Sequence, residues 1–214
     1  MPLQRGWLAI AGGLTCVLLL TAVPASAEIL AGIAVDRDVH RFPGDADENR
    51  LEGSATGWML LGGTTLFSHL TLRVEDAHGG DIVHPQTFSV DVGGKALTIE
   101  SSFTHRVRST AGLGGFSHQP WSRIRLTYLA GLSSISVRRT FVTNAPPLVL
   151  VTPDVSHAFE ETTTTDFWSL VLGADLIVHL APHVAVVAGI RWQQLKLDET
   201  GTSLRPLVGG LWVF

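Results

Sequence analysis

The sequence holds a single cysteine, Cys16, and it lies inside an N-terminal apolar run. Everything after that run is free of thiols, which excludes a disulfide framework and thiol catalysis. Charge is scarce too: Lys, Arg, Asp and Glu together make up 16% of the chain, and the net charge is −4. The basic residues are scattered, so there is no electrostatic footprint for nucleic acid. Long apolar runs are missing after Glu28, where no stretch reaches the roughly 18 residues that mark a spanning helix. Yet mean hydropathy is positive and 45% of the residues are hydrophobic, which argues against disorder. A chain with this much apolar surface, and neither disulfides nor spanning helices, has to use its apolar residues in another pattern.

The N-terminal run sits in "MPLQRGWLAIAGGLTCVLLLTAVPASA", where Arg5 precedes apolar residues from about Leu8 to Val23 and Ala25-Ser26-Ala27 closes the segment. A positive start, a short apolar stretch and an A-x-A exit are the marks of a secretory signal, expected to be cleaved before Glu28. Gly13-Leu14-Thr15 ahead of Cys16 is a poor lipobox, so a lipid anchor is not expected there. Residues 1–27 are therefore read as a signal peptide and residues 28–214 as one domain, since no composition break inside them marks a linker.

What the domain has in place of apolar runs is alternation. In "TDFWSLVLGADLIVHL" one parity reads Trp168, Leu170, Leu172, Ala174, Leu176, Val178 and Leu180, while Ser169, Gly173, Asp175 and His179 take the other. This period of two outlasts the roughly 5 to 6 residues of an ordinary strand and approaches the roughly 9 to 11 of a tilted membrane strand. Val184, Val186, Ala188, Ile190 and Trp192 repeat the pattern against Arg191 and Gln193, and the short "APH" between the two segments makes them an antiparallel hairpin. Leu70, Leu72 and Val74 oppose Arg73 and Glu75; Ile124, Leu126, Tyr128, Ala130 and Leu132 oppose Arg125 and Thr127. In that last strand the pattern slips at Ser133-Ser134, where a bulge is expected. Weaker segments at 28–35, 54–62, 107–116 and 203–214 bring the count to eight strands.

The connections sort by length. Links at 63–68, 117–121 and 181–183 are short, 198–202 is intermediate, and 36–53, 76–106 and 138–162 are long. Short turns at one end and long loops at the other are what a membrane barrel shows, with both termini at the short-turn end. The link 76–106 itself reads as carrying a hairpin over 86–101 around Gly93-Gly94, projecting beyond the bilayer and leaving a count of ten strands open.

In a bilayer core an unpaired backbone N-H or C=O costs several kcal/mol, so membrane strands must close into a barrel and the first and last strands must pair. The chain ends on "RPLVGGLWVF", and Gly209, Trp212 and Phe214 occupy the glycine, penultimate-aromatic and terminal-aromatic places of a C-terminal pattern. That pattern resembles the assembly signal of Gram-negative outer-membrane β-barrel proteins, although Leu207 stands where the family usually has a polar residue. The resemblance implies an all-β, eight-stranded antiparallel up-and-down transmembrane barrel in the outer membrane. It also implies handling by the barrel-assembly machinery and contact with outer-membrane lipid. Trp58, Trp121, Trp168, Trp192, Trp212 and Phe214 fit the interfacial girdle of such barrels. On the parity opposite the aliphatic set lie Arg73, Glu75, Arg108, Arg125, Asp175, Arg191 and Arg205, expected to form an ionic network inside the barrel. Five arginines against two carboxylates leave an imbalance for water or a wider lumen to meet.

Sites for chemistry are few. His118 follows Ser117, but "FSHQPWS" lacks the His-x-Ser-Asn pattern of outer-membrane lipid A deacylases, and His179 and His183 are separated by a turn at Pro182. Asp45, Asp47 and Asn49 have calcium-loop spacing, but Arg50 replaces the turn glycine and Thr56 the last carboxylate, so the loop fails as an EF-hand. "GLGG" at 112–115 has no helix after it and is not a nucleotide loop; it reads as strand backbone crowded by a neighbouring side chain. The expectation is a non-enzymatic barrel without cofactor or metal, with a structural or surface-interaction role through its loops and an unspecified extracellular partner. A narrow pore, a lipid-modifying barrel enzyme and a soluble lipocalin-like barrel are the alternatives, the last differing only in which face is wet.

Overall fold

The alternation is realised as eight antiparallel strands closed into one barrel. The computed structural model describes residues 27–41, 52–92, 95–144, 158–196 and 200–214. The strands are β1 (Glu28–Arg41), β2 (Gly53–Leu66), β3 (Leu70–Val92), β4 (Lys95–Trp121), β5 (Ile124–Asn144), β6 (Ala158–Ala181), β7 (Val184–Lys196) and β8 (Thr200–Val213). Each pairs with its chain neighbours, and β1 pairs with β8, from Leu30↔Val213 up to Arg41↔Thr202. Phe214 N-H donates to the Ile29 carbonyl at 2.9 Å, so the closing seam runs to the last residue.

Turns at 67–69, 122–123 and 182–183 gather at the end where the chain enters at Glu28 and leaves at Phe214. In the first of them Phe67 and Ser68 carry φ of 51° and 64°, and His69 N-H donates to the Leu66 carbonyl at 3.1 Å. Two successive left-handed residues match the right-handed twist of the flanking strands, a geometry that usually selects Asn-Gly.

The other end is uneven. β3 to β6 have 23, 27, 21 and 24 residues, against 13 or 14 in the other four. Pairing of β2 with β3 stops at Trp58↔His78, and pairing of β6 with β7 begins at Val171↔Gln193. Beyond those rungs β3 to β6 pair only with one another, forming a four-stranded sheet that rises past the barrel wall. The link 76–106 is therefore strand along most of its length, with β3 and β4 paired up to Val92↔Lys95, and the hairpin expected at 86–101 forms its tip. The bulge expected at Ser133-Ser134 is absent: both residues pair in unbroken register with β4 and β6. The pattern slips there because the inward parity turns apolar at Ile135 and Val137, which pack with Val107 and Leu195. A real register shift falls between His78 and Asp81, where Gly79 and Gly80 stand opposite Val107 and reverse the parity of β3.

Burial then separates the two faces. Leu132 and Val208 are 58% and 57% exposed on the outside, whereas Arg191 is 2% exposed inside. Ile33, Val35, Leu60, Val74, Leu170, Leu172 and Ile190 join the outer set. Leaving such a side chain in water forgoes about 1.5 to 3 kcal/mol, so for the belt as a whole the loss exceeds the roughly 5 to 15 kcal/mol by which domains are stable. Only an apolar surrounding medium removes that cost. Aromatics edge the belt, with Phe67, Trp121, Trp212 and Phe214 exposed at the tight-turn end and Trp58, Trp168 and Trp192 exposed further up. From Val184 to Trp192, β7 climbs about 26 Å along the strand, or about 20 Å at a tilt near 40°, close to the roughly 25 Å apolar band of a membrane barrel.

Candidate functional site

The inward parity holds its charges in tiers. Arg125, nearest the tight-turn end, donates to Glu28 Oε1 and Oε2 at 2.7 and 2.5 Å. Close by, hydroxyls run in a chain from Thr65 through Thr71 and Ser117 to Thr127, at 3.4, 2.6 and 2.9 Å. The middle tier is a quartet. Arg191 donates to Glu75 at 2.5 and 2.9 Å and to Asp175 at 2.6 and 3.0 Å, and Arg73 donates to Asp175 and lies 3.7 Å from Glu75. Glycines make room for it. A Cβ on Gly173 would come within 2.8 Å of the Arg191 side chain, and one on Gly189 would collide with the Asp175 carboxylate. Each of the four charged residues is less than 5% exposed, so the lumen is closed at this level.

Arg205 forms the next tier, 2.7 Å from Asp38 Oδ2, 3.2 Å from Asp36 Oδ2 and 3.0 Å from Ser109 Oγ, while Ser203 also donates to Asp38. Above it stand three imidazoles. His40 Nε2 is 3.1 Å from Asp38, His40 Nδ1 is 3.3 Å from His105 Nε2, and the His84 ring stacks on His105 at 5.7 Å. Burial, then the nearby His40, His84 and Arg139, push the His105 imidazole down to about 3 from its ordinary 6.5, against the pull of Asp38.

Six of the seven residues expected in an interior network point inward, but they form three groups. Arg73, Glu75, Asp175 and Arg191 meet in the quartet; Arg125 and Arg205 each bind elsewhere. Arg108 corrects the expectation: it lies on the outer face, 58% exposed, donating to Asp76 Oδ2 at 3.0 Å. The parity argument failed at Arg108 because the inward side there belongs to Val107, and His105, Ser109 and Ala111 share it. The expected surplus of arginine also disappears, because Glu28, Asp36 and Asp38 supply carboxylates. Asp36 and Asp38 lie beyond the segment 28–35 that the alternation marks, and Glu28 stands at its very start. The signal was present: Asp36, Asp38 and His40 continue the inward parity of Leu30 and Ala34.

The other candidates do not converge. Ser117 is buried in the hydroxyl chain while His118, next in the strand, is exposed on the opposite face. His183 stacks on Trp212 with its Nδ1 3.0 Å from the Val213 carbonyl, whereas His179 lines a separate rim cavity with Glu28 and Arg125. Asp45, Asp47, Asn49 and Arg50 lie outside the described residues, and Thr56 is in β2. Among the described residues no group of three His, Cys, Asp or Glu side chains is placed to hold a metal ion. In the "GLGG" run, Gly115 is crowded by the Tyr128 backbone, but a Cβ on Gly112 or Gly114 would meet nothing.

An apolar outer belt, a closed ladder and ion pairs in the lumen together make an inside-out protein, and comparison with solved structures agrees. The attachment invasion locus protein Ail of Yersinia pestis superposes with a TM-score of 0.51 at 16% identity, covering 88% of this chain and 99% of Ail. Its complex with the heparin analogue sucrose octasulfate gives 0.50 at 15% identity over the same shares. The fold is that of the small outer-membrane β-barrels. Neisserial surface protein A matches at a TM-score of 0.49 and 13% identity, over 88% of this chain and 97% of its own. The sequence matches no protein-family model and no curated protein. The barrel has its tight turns and both described chain ends on one side of its apolar belt and the β3 to β6 sheet on the other.

Proposed function

We propose that this outer-membrane barrel is a non-conducting, non-enzymatic surface protein that works through the sheet raised by β3 to β6. The observation that carries the reading is the combination of a lumen closed by the Arg73, Glu75, Asp175 and Arg191 quartet with strands continuing about ten residues past the wall. A pore needs a wetted path, and small eight-stranded barrels fill theirs with side chains. A displayed sheet needs length beyond the bilayer, which among the described residues these four strands have. Pairing with a partner strand along the β6 edge of the raised sheet, which has no strand neighbour among the described residues, is the mode of contact the geometry favours. At the opposite rim, Trp212 on β8 and Phe214 just after it are exposed, consistent with Gly209, Trp212 and Phe214 serving as the signal read by the assembly machinery. An epitope inserted between Val92 and Lys95 and probed on intact cells, together with planar-bilayer recording of the purified barrel, tests the reading. The epitope should be accessible without permeabilisation and the barrel should give no stable conductance. An epitope reached only after lysis, or steady open channels, would overturn it.

A further inference from the structure

The outer face carries a feature that neither belt nor lumen requires. Just above Trp58, a groove of about 720 Å³ is lined by Thr56, Trp58, His78, Arg106, Arg108 and Arg138 among others. The β3 bulge shapes it, because Gly79 and Gly80 contribute backbone and no side chain where the strand bends. Such a volume suits a sugar-sized ligand, since small-molecule sites span about 300 to 1,000 Å³.

Its electrostatics select the charge of the occupant. Arg106 and Arg138 are direct cross-strand partners, and like charges so placed repel. Asp81 holds one edge of Arg106 through bonds of 2.7 and 2.6 Å from Nε and Nη2, and Asp76 holds one edge of Arg108. Neither carboxylate lines the groove, so what faces it is three guanidinium groups, of which Arg106 and Arg108 are each held along one edge by a carboxylate and keep donors on the other. Trp58 stacks on His78 at 4.1 Å to make a flat wall at its lower edge.

Position selects the source. Trp58, His78, Arg108 and Ser136 form one rung across β2 to β5, continued on β6 by Asp166; the rung below is Leu60, Asp76, Thr110, Ser134 and Trp168, and the apolar belt begins one rung lower, with Val74, Leu132 and Leu170. The groove thus opens sideways one largely polar rung above the apolar belt, on the side of the raised sheet, at head-group height. We infer that it seats the phosphorylated head group of an outer-leaflet lipid, with phosphate between Arg106, Arg108 and Arg138, sugar against Trp58 and His78, and acyl chains along the belt below.

The inference rests on the outer-membrane placement, and one experiment separates the two. The full barrel and R106Q/R108Q/R138Q are inserted into nanodiscs containing phosphatidylcholine with either bisphosphorylated or dephosphorylated lipid A. Insertion is checked by the mobility shift of unboiled samples, and retained lipid is counted by native mass spectrometry. The parent should retain the phosphorylated lipid roughly tenfold more than the dephosphorylated one, the loss of a single strong ion pair being worth about that factor. The triple variant should insert normally and lose the preference, and millimolar inorganic phosphate should not displace the lipid. Equal retention of both lipids, an unchanged preference in the triple variant, displacement by free phosphate or occupation of the groove by a second barrel would overturn the inference while leaving the membrane placement intact. Failure of the parent to insert would overturn the placement itself.

Discussion

Replacing Arg191 by methionine removes the one side chain that hydrogen-bonds both carboxylates of the middle tier. In the parent, two cations face two anions, and Arg191 supplies four of the short contacts, at 2.5 and 2.9 Å to Glu75 and 2.6 and 3.0 Å to Asp175. Without it Glu75 and Asp175 share Arg73 alone, so one negative charge stays buried and uncompensated, at a cost of about 3 to 5 kcal/mol. Methionine fills part of the volume, which keeps the cavity contribution small beside the charge. Adding E75Q to R191M restores neutrality, leaving Arg73 with Asp175, and the double variant should therefore be more stable than R191M by roughly 1 to 3 kcal/mol. Urea unfolding of the refolded barrel in micelles, followed by tryptophan emission and by the unboiled-gel shift, measures both differences. An R191M variant within about 0.5 kcal/mol of the parent, or a double variant less stable than the single one, would refute the charge-balance argument.

Other expectations follow from single positions. G189A should cost about 1 to 3 kcal/mol, because the new Cβ collides with Asp175, while G112A should be near neutral, its Cβ meeting nothing; the same unfolding assay compares them. S68G should stabilise by roughly 1 kcal/mol, since Ser68 holds a left-handed φ of 64° that glycine adopts freely. The barrel should lose stability as pH falls. His105 is held neutral in the fold, with a pKa of about 3 against 6.5, so between those values the unfolded chain binds the extra proton. Stability should then drop by about 1.4 kcal/mol per pH unit below about pH 6.5. Unfolding midpoints from pH 7.5 to 4.5 should show this slope, and H105N should flatten it.

The legible part of this fold was the part where the two faces differ in polarity. Along β6 and β7, aliphatic and aromatic residues face lipid while Ser169, Asp175 and Arg191 face inward, so period two stands out and the hairpin at Pro182 follows from it. The same logic brought out the closing strand and the inward Arg73 and Glu75. It failed where both faces share a polarity. Above the belt, Arg37 faces out beside the inward Asp36 and Asp38, so the upper half of β1 looks like a polar loop. At Ile135 and Val137 the inward face turns apolar, which imitates a bulge without one. At Gly79-Gly80 a true bulge reverses the parity of β3, and in β4 the small or polar inward Ser109 and Ala111 do not stand out from the outward Arg108, which therefore reads as lumenal. The groove assembled from four strands has no linear signature at all; only register brings Arg106 opposite Arg138.

The claim on which the account depends is the direction of the two faces, and the tryptophans report it. Trp58, Trp121, Trp168, Trp192 and Trp212 are all exposed on the outer surface. In vesicles of lipids brominated on their acyl chains, emission from the inserted barrel should fall strongly relative to unbrominated lipid, most of all in a variant that retains Trp192 alone. Emission indifferent to bromine, from protein that stays in the aqueous phase, would contradict it.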